Sequence, residues 1–197
     1  MPVESEGTPR ADARRNREAV LEAAIALLSE RPDASMREIA EASGVGRTTV
    51  YRHFPTREDL VMGLWSVVVR DAQAITNGLL QAGLEPPELF RELGRRTAVD
   101  IGHRYRFMDA HRDTRERALA EAEGPDADDP MLAYLTEAQR AGKLRNDLPV
   151  SWLFVMLRGI ITIGLDHMVE GHADPEDAGC YVGETLVTAL CFQDPPR

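Results

Sequence analysis

The chain has 197 residues, 43% of them hydrophobic and 28% charged, with a formal charge of −10. That length suits one small module plus one larger domain, and the apolar share is enough for a packed core. Residues 1–57 hold nine arginines and nine acids, whereas residues 58–197 hold 14 basic and 24 acidic residues, so the acidic bulk should repel any polyanion and only the neutral, locally basic end is suited to meet one.

The opening MPVESEGTPRAD is polar and lacks the apolar centre of a secretory signal. Residues 1–10 are expected to form a disordered arm. A helix is expected from about Asp12 to Glu30, with Val20, Ala23, Ala24, Leu27 and Leu28 facing inward. Arg14, Arg15 and Arg17 cluster at its start, where positive charge opposes the helix dipole. A solvated first turn is the plain explanation; a phosphate-facing end would offset the cost.

The stretch Ser35–Phe54, SMREIAEASGVGRTTVYRHF, carries the strongest signal. Ser35 and Glu38 have the spacing of a capping box. Ile39, Ala40 and Ala42 give a short apolar side, and Gly44 stands where a left-handed residue ends a helix. From Arg47 to His53 there is room for about two turns. Val50 and Phe54, four apart, plug the core, while Arg47, Thr48, Thr49, Tyr51, Arg52 and His53 remain on or near the other side. This is the order of a helix-turn-helix whose second helix is shaped to enter a major groove. Similar pairs of amphipathic helices occur in proteins that never touch DNA. The exposed composition favours DNA, since no acid falls between Glu41 and Glu58.

With Pro55-Thr56-Arg57-Glu58-Asp59-Leu60 after it, the stretch resembles the DNA-binding domain of the TetR family of bacterial transcriptional regulators. The shared features are the I-A-x-x-x-G-V turn, the T-V-Y-R-H-F helix and the acidic-cationic opening of the next helix. The resemblance covers roughly the first 65 residues. Gly46 departs from it where a serine cap is frequent, and Thr48 where a glycine, alanine or proline is frequent. A threonine there could touch a thymine methyl or donate a hydrogen bond. Arg47, Thr48, Thr49 and Arg52 are the candidates for base edges. By resemblance, Tyr51, His53, Ser35 and Arg57 are the candidates for phosphates. Arg37 suits either role. For Tyr51 and His53, packing against neighbouring helices is the alternative.

Thr56 can cap the Asp59 amide and open a helix running to about Ala82, long enough to link two domains. After Pro86-Pro87 further helices are expected to about His111, then from Asp113 to Glu123. The breaker-rich loop Gly124–Pro130 follows, then helices over Met131–Gly142, Pro149–Glu170 and Pro175–Phe192. No strand signals, repeats or low-complexity tracts appear. The expected fold class is all-α: a three-helix helix-turn-helix domain over 11–55 and a larger helical domain over 56–197, to which the resemblance assigns ligand binding and dimerisation.

The run from Val150 to Val169 is nearly long enough to span a bilayer, but Arg158 near its centre favours a buried helix. A soluble, cytoplasmic protein is expected. Cys180 and Cys191, eleven apart, would lie about 16 Å apart on one helix, too far for a disulfide; small buried hydrophobes is the simplest reading. The five histidines show no metal-ligand spacing, and no cofactor is expected.

The last two helices are apolar around most of their circumference, so each is buried on several sides. Gly179 and Gly183, four apart, permit close helix approach. A four-helix homodimer interface follows, as the resemblance also implies, with a monomeric core as the alternative. Two-fold symmetry would present two reading helices to a pseudo-palindromic operator. Family members usually bind a small molecule among the central helices. Trp65, Tyr105, Phe107, Met108, His111, Trp152 and Met156 are the candidate pocket residues by chemical type, with ordinary core packing as the alternative for each.

The leading function is a ligand-released, operator-binding repressor. The alternative is an all-helical interaction or sensor protein whose helix-turn-helix no longer reads DNA. An enzyme is disfavoured, because no nucleophile elbow, phosphate loop or metal motif surrounds the available Ser, His and Asp residues.

Overall fold

A computed structural model of the chain describes residues 9–102 and 129–191. Among them the elements are helices α1 (Pro9–Glu30), α2 (Met36–Ser43), α3 (Arg47–His53), α4 (Arg57–Gln81) and α5 (Pro86–Arg96), a π-helical turn (Thr97–Ile101), then α6 (Pro130–Arg140), α7 (Val150–Val169) and α8 (Pro175–Leu190). The expected N-terminal arm falls mostly on residues 1–8, outside the described residues. So do the end of the helix expected to reach His111, the helix expected over Asp113–Glu123 and most of the acidic loop.

Local signals fix the boundaries. Ser35 and Glu38 form the expected capping box, and Gly44 ends α2 in the left-handed region at φ 66°. Thr56 and Asp59 make a second box at the head of α4. Asp129 caps α6, and Asp174 caps α8. Each cap satisfies amides that a helix N-terminus leaves without partners. Several expected bounds move by one to three residues. The first helix starts at Pro9, because proline fits the first helical position. The loop expected to reach Pro130 stops at Asp129. The last helix stops at Leu190, because Cys191 is extended and bridges antiparallel to Leu144.

Two apolar clusters carry the packing. In the first, Val20, Leu21, Ala24, Ile25 and Leu28 of α1 meet Ile39, Ala40, Val50, Phe54, Leu60, Leu64 and Trp65. The buried stripe of α1 therefore runs through Leu21 and Ile25, with Ala23 and Leu27 only partly buried. Ala42, expected on the apolar side of α2, is exposed. The cluster continues into Ala98, Ile101, Leu165 and Met168, so the N-terminal helices rest on the π turn and the end of α7. In the second cluster, Leu89, Phe90 and Leu93 of α5 pack with Leu135, Leu153, Leu157, Leu186 and Leu190.

Helices α5 and α8 approach closely, and glycines permit it. A Cβ on Gly94 would lie 2.6 Å from both the Gly179 carbonyl oxygen and the Gly183 amide nitrogen. A Cβ on Gly183 would lie 2.8 Å from the Arg91 Cα. The glycine pair expected at a subunit interface thus serves contact within the chain. Its partner Gly94 had no periodic signal to mark it.

Helix α7 is buried on one side only. Leu153, Phe154, Leu157, Leu165 and Met168 face inward, while Trp152, Val155 and Ile163 are 53%, 53% and 69% exposed, beside Tyr181 of α8 at 56%. It is the one helix among the described residues long and apolar enough to cross a membrane. Cys191 is buried as expected, but Cys180 is exposed on the outer side of α8.

Candidate nucleic-acid interface

The recognition helix is short, and its orientation is set by its two core residues. Val50 is fully buried and Phe54, its C-cap, nearly so. Gly63 of α4 leaves room for the Phe54 ring: a Cβ there would lie 2.8 Å from Phe54 Cε1. The Arg17 guanidinium covers the same ring at 5.3 Å from its centre. With those anchors in place, Arg47, Thr48, Tyr51 and Arg52 stand exposed. Their spacing of i, i+1, i+4 and i+5 makes them one continuous helix face. Thr49 and His53 are half-buried on its flank. Exposure groups Tyr51 with Arg47, Thr48 and Arg52, and Thr49 with His53.

Electrostatics distinguish these side chains. Arg47 Nη2 donates to Glu41 Oε1 at 2.8 Å, and Arg37 Nε lies 3.9 Å from the same oxygen. Arg57 forks inward instead. Its Nη2 donates to the Pro32 carbonyl at 2.6 Å, and its Nη1 donates to the Ala34 carbonyl. The fork ties the head of α4 to the turn before α2. Ser35 is engaged in its cap: its amide and hydroxyl donate to Glu38 Oε2 at 2.8 and 2.7 Å. These bonds, with Arg31 at 3.0 Å, hold the Glu38 carboxyl down to about 2. His53 turns its Nε2 inward, where it has no hydrogen-bond partner. Burial, and then the nearby cations Arg52 and Arg17, depress its pKa and favour the neutral ring. At the start of α1, Arg14 pairs with Glu18 and Arg15 with Asp12. Gly46 precedes α3 with no side-chain cap.

A second concavity lies between α4, the π turn, α6 and α7. Its volume is about 410 Å³ and its lining is largely apolar, including Leu93, Met131, Phe154, Leu157 and Ile161. Polar groups come from Gln73, Thr76 and Asn77 of α4, Thr97, Asp129 and Arg158. The Arg158 guanidinium sits 5.7 Å over the Phe154 ring, and partial burial lowers its pKa. None of the described pocket candidates lines this cavity. Trp65 is buried in the first cluster, Trp152 is exposed, and Met156 is half-buried beside the second cluster. Chemical type says nothing about which face of a helix a residue occupies. Tyr105, Phe107, Met108 and His111 lie outside the described residues. The readable signal was the set Gln73, Thr76 and Asn77, polar at helical spacing on one side of α4.

These features agree with known proteins. The pattern of bacterial regulatory proteins of the tetR family matches residues 20–63. The repressor LfrR of Mycolicibacterium smegmatis is 48% identical over 50 residues, which is 25% of this chain and 26% of that protein. The regulator NfxB of Pseudomonas aeruginosa is 28% identical over 144 residues, covering 66% and 71% of the two chains. A TetR transcription regulatory protein from Mycobacterium vanbaalenii, solved by crystallography, is 33% identical and aligns over 82% of this chain and 94% of its own, with a TM-score of 0.54. The chain belongs to the TetR family. The crystal structure of LfrR in complex with proflavine shares the fold, with a TM-score of 0.66 at 21% identity over 92% of this chain and 99% of that one.

Proposed function

We propose that this chain is a cytoplasmic, homodimeric transcriptional repressor that binds a pseudo-palindromic operator and is released by a small-molecule effector. The observation that carries the reading is the exposed face Arg47-Thr48-Tyr51-Arg52 on a helix locked by Val50 and Phe54. Arginine at either end of that face suits guanine O6 and N7, and Thr48 suits a thymine methyl or a hydrogen bond. Thr49, His53, Arg37 and the arginines of α1 are our candidates for the phosphates that flank the groove. Ser35 and Arg57 contribute by holding the scaffold, Ser35 through its cap and Arg57 through its fork.

Dimerisation through the outer faces of α7 and α8 would cover Trp152, Val155, Ile163 and Tyr181 and pair two reading helices. The cavity bordered by Gln73, Thr76 and Asn77 is of a size for a small ligand. It abuts α4, whose head carries the Arg57 fork, so an occupant could shift the reading heads. Proflavine bound to LfrR supports an effector of this general kind. The relatives LfrR and NfxB are transcriptional regulators, which supports a regulator over an enzyme.

The test is selection of bound fragments from random duplex DNA by the full chain. Enrichment of a palindrome, with affinity falling steeply as salt rises, is expected. Enrichment of no palindrome overturns the reading and favours an interaction protein.

A further inference from the structure

Two charges in the DNA-facing module sit at the wrong ends of their helices. Glu41 is in the last turn of α2, where the dipole disfavours an acid, and Arg47 is the first residue of α3, where it disfavours a cation. Each is the other's partner at 2.8 Å, and Arg37 adds a second guanidinium at 3.9 Å from the same carboxylate oxygen. All three side chains are more than half exposed, so the cluster contributes little to folding. Local rules broken together on an exposed face point to function rather than stability.

The placement also fits DNA reading. A guanidinium offers five N–H donors in a rigid fork. Glu41 takes one Nη2 donor of Arg47, which leaves donors for a base edge. The same contact restrains a long, flexible cation that would otherwise reach any phosphate. Glu41 carries a negative charge toward a polyanion, yet two arginines against one glutamate leave the trio a formal charge of about +1. We propose that Glu41 is a specificity-determining positioning residue: it aims Arg47 at base edges and withholds Arg47 and Arg37 from indiscriminate phosphate contact. This rests on the operator-binding reading above.

The experiment measures affinity for the selected operator and for random duplex, across salt concentrations, with wild type, Glu41→Gln, Glu30→Gln, Arg47→Ala and the Glu41→Gln/Arg47→Ala double variant. Glu30 is an exposed acid at the end of α1 and controls for the lost charge alone. Glu41→Gln is expected to bind random duplex several-fold more tightly, with a salt slope steeper by about one. Its operator-to-random ratio is expected to fall about fivefold or more, the scale of one bidentate arginine–guanine contact. In the Arg47→Ala background, Glu41→Gln should leave the ratio unchanged. An unchanged ratio in Glu41→Gln alone, or an equal fall in Glu30→Gln, overturns the proposal. Persistence of the effect without Arg47 also overturns it, since Glu41 would then read DNA directly. A wild-type protein that selects no operator refutes the parent reading instead. The random-duplex arm then still decides, because equal affinities of Glu41→Gln and Glu30→Gln sink the electrostatic half.

Discussion

Arg57 illustrates how one side chain separates scaffold from contact. Its fork spans the Pro32 and Ala34 carbonyls, so α4 and the turn before α2 move as one piece. Hydrogen bonds from a charged donor contribute roughly 1.5–3 kcal/mol each when buried, and less at a half-exposed site. Arg57→Ala should therefore lower stability by about 1–2 kcal/mol, seen as an earlier thermal transition, and weaken binding to every duplex alike. Arg47→Ala should leave the melting curve in place and relax sequence preference. A melting curve for Arg57→Ala that matches wild type would confine that residue to phosphate contact. Glu38 gives a pH test. Its folded pKa of about 2 lies below the ordinary 4.5, so the unfolded chain binds the proton more readily. The stabilisation is full above 4.5 and is lost as pH falls toward 2. The stability difference between wild type and Glu38→Gln should shrink across that window, as read by melting at stepped pH. Such residues were legible in the sequence because a capping box is written within four positions. The inward fork of Arg57 was not, because its acceptors lie 23 and 25 residues away and are backbone carbonyls, which any sequence supplies.

Among elements, α3 is the one whose bounds the sequence stated best, since glycine turns and core anchors fix both ends locally. Gly46 remains its weak point. The backbone there has φ −55°, and a Cβ would meet nothing within 4 Å. A serine would supply the missing cap and narrow the unfolded ensemble. Gly46→Ser should stabilise the module by about 0.5–1 kcal/mol, measured by thermal unfolding; a lower transition would mean the turn needs glycine for another reason. Gly94 shows the opposite balance. Helix propensity alone favours alanine there by about 1 kcal/mol. Packing opposes it, because the new Cβ would strike backbone atoms of α8 at 2.6 Å, and backbone cannot step aside as a flexible side chain can. Overpacking of this kind costs about 3 kcal/mol, so Gly94→Ala should destabilise in urea. A stabilised variant would show that α5 and α8 slide freely. The sequence hid this contact, since Gly94 belongs to a helix far from Gly179 and Gly183 along the chain.

At the level of the whole molecule, the outer faces of α7 and α8 decide whether one reading helix acts or two. The apolar character of α7 was plain in the sequence, but a helix apolar all round carries no period to say which side the chain itself covers. The structure divides it: Leu153 and Leu157 go inward, while Trp152, Val155 and Ile163 stay exposed. Ile163, at 69% exposure, supports little of the single chain's core, so Ile163→Asp should leave the monomer folded. In a dimer joined through this face, the new carboxylate would lose its water without gaining a partner, a cost of several kcal/mol. Sedimentation should then show a monomer at concentrations where wild type is a dimer. Two half-sites read by linked helices gain affinity through effective concentration, and unlinking them should weaken operator binding by about 100-fold. Binding to a single half-site should change little, since α3 lies in the other core cluster. A variant that stays dimeric would move the interface elsewhere on the surface. A monomeric variant with full operator affinity would show that the two reading helices act independently, and the requirement for a palindrome would fall with it.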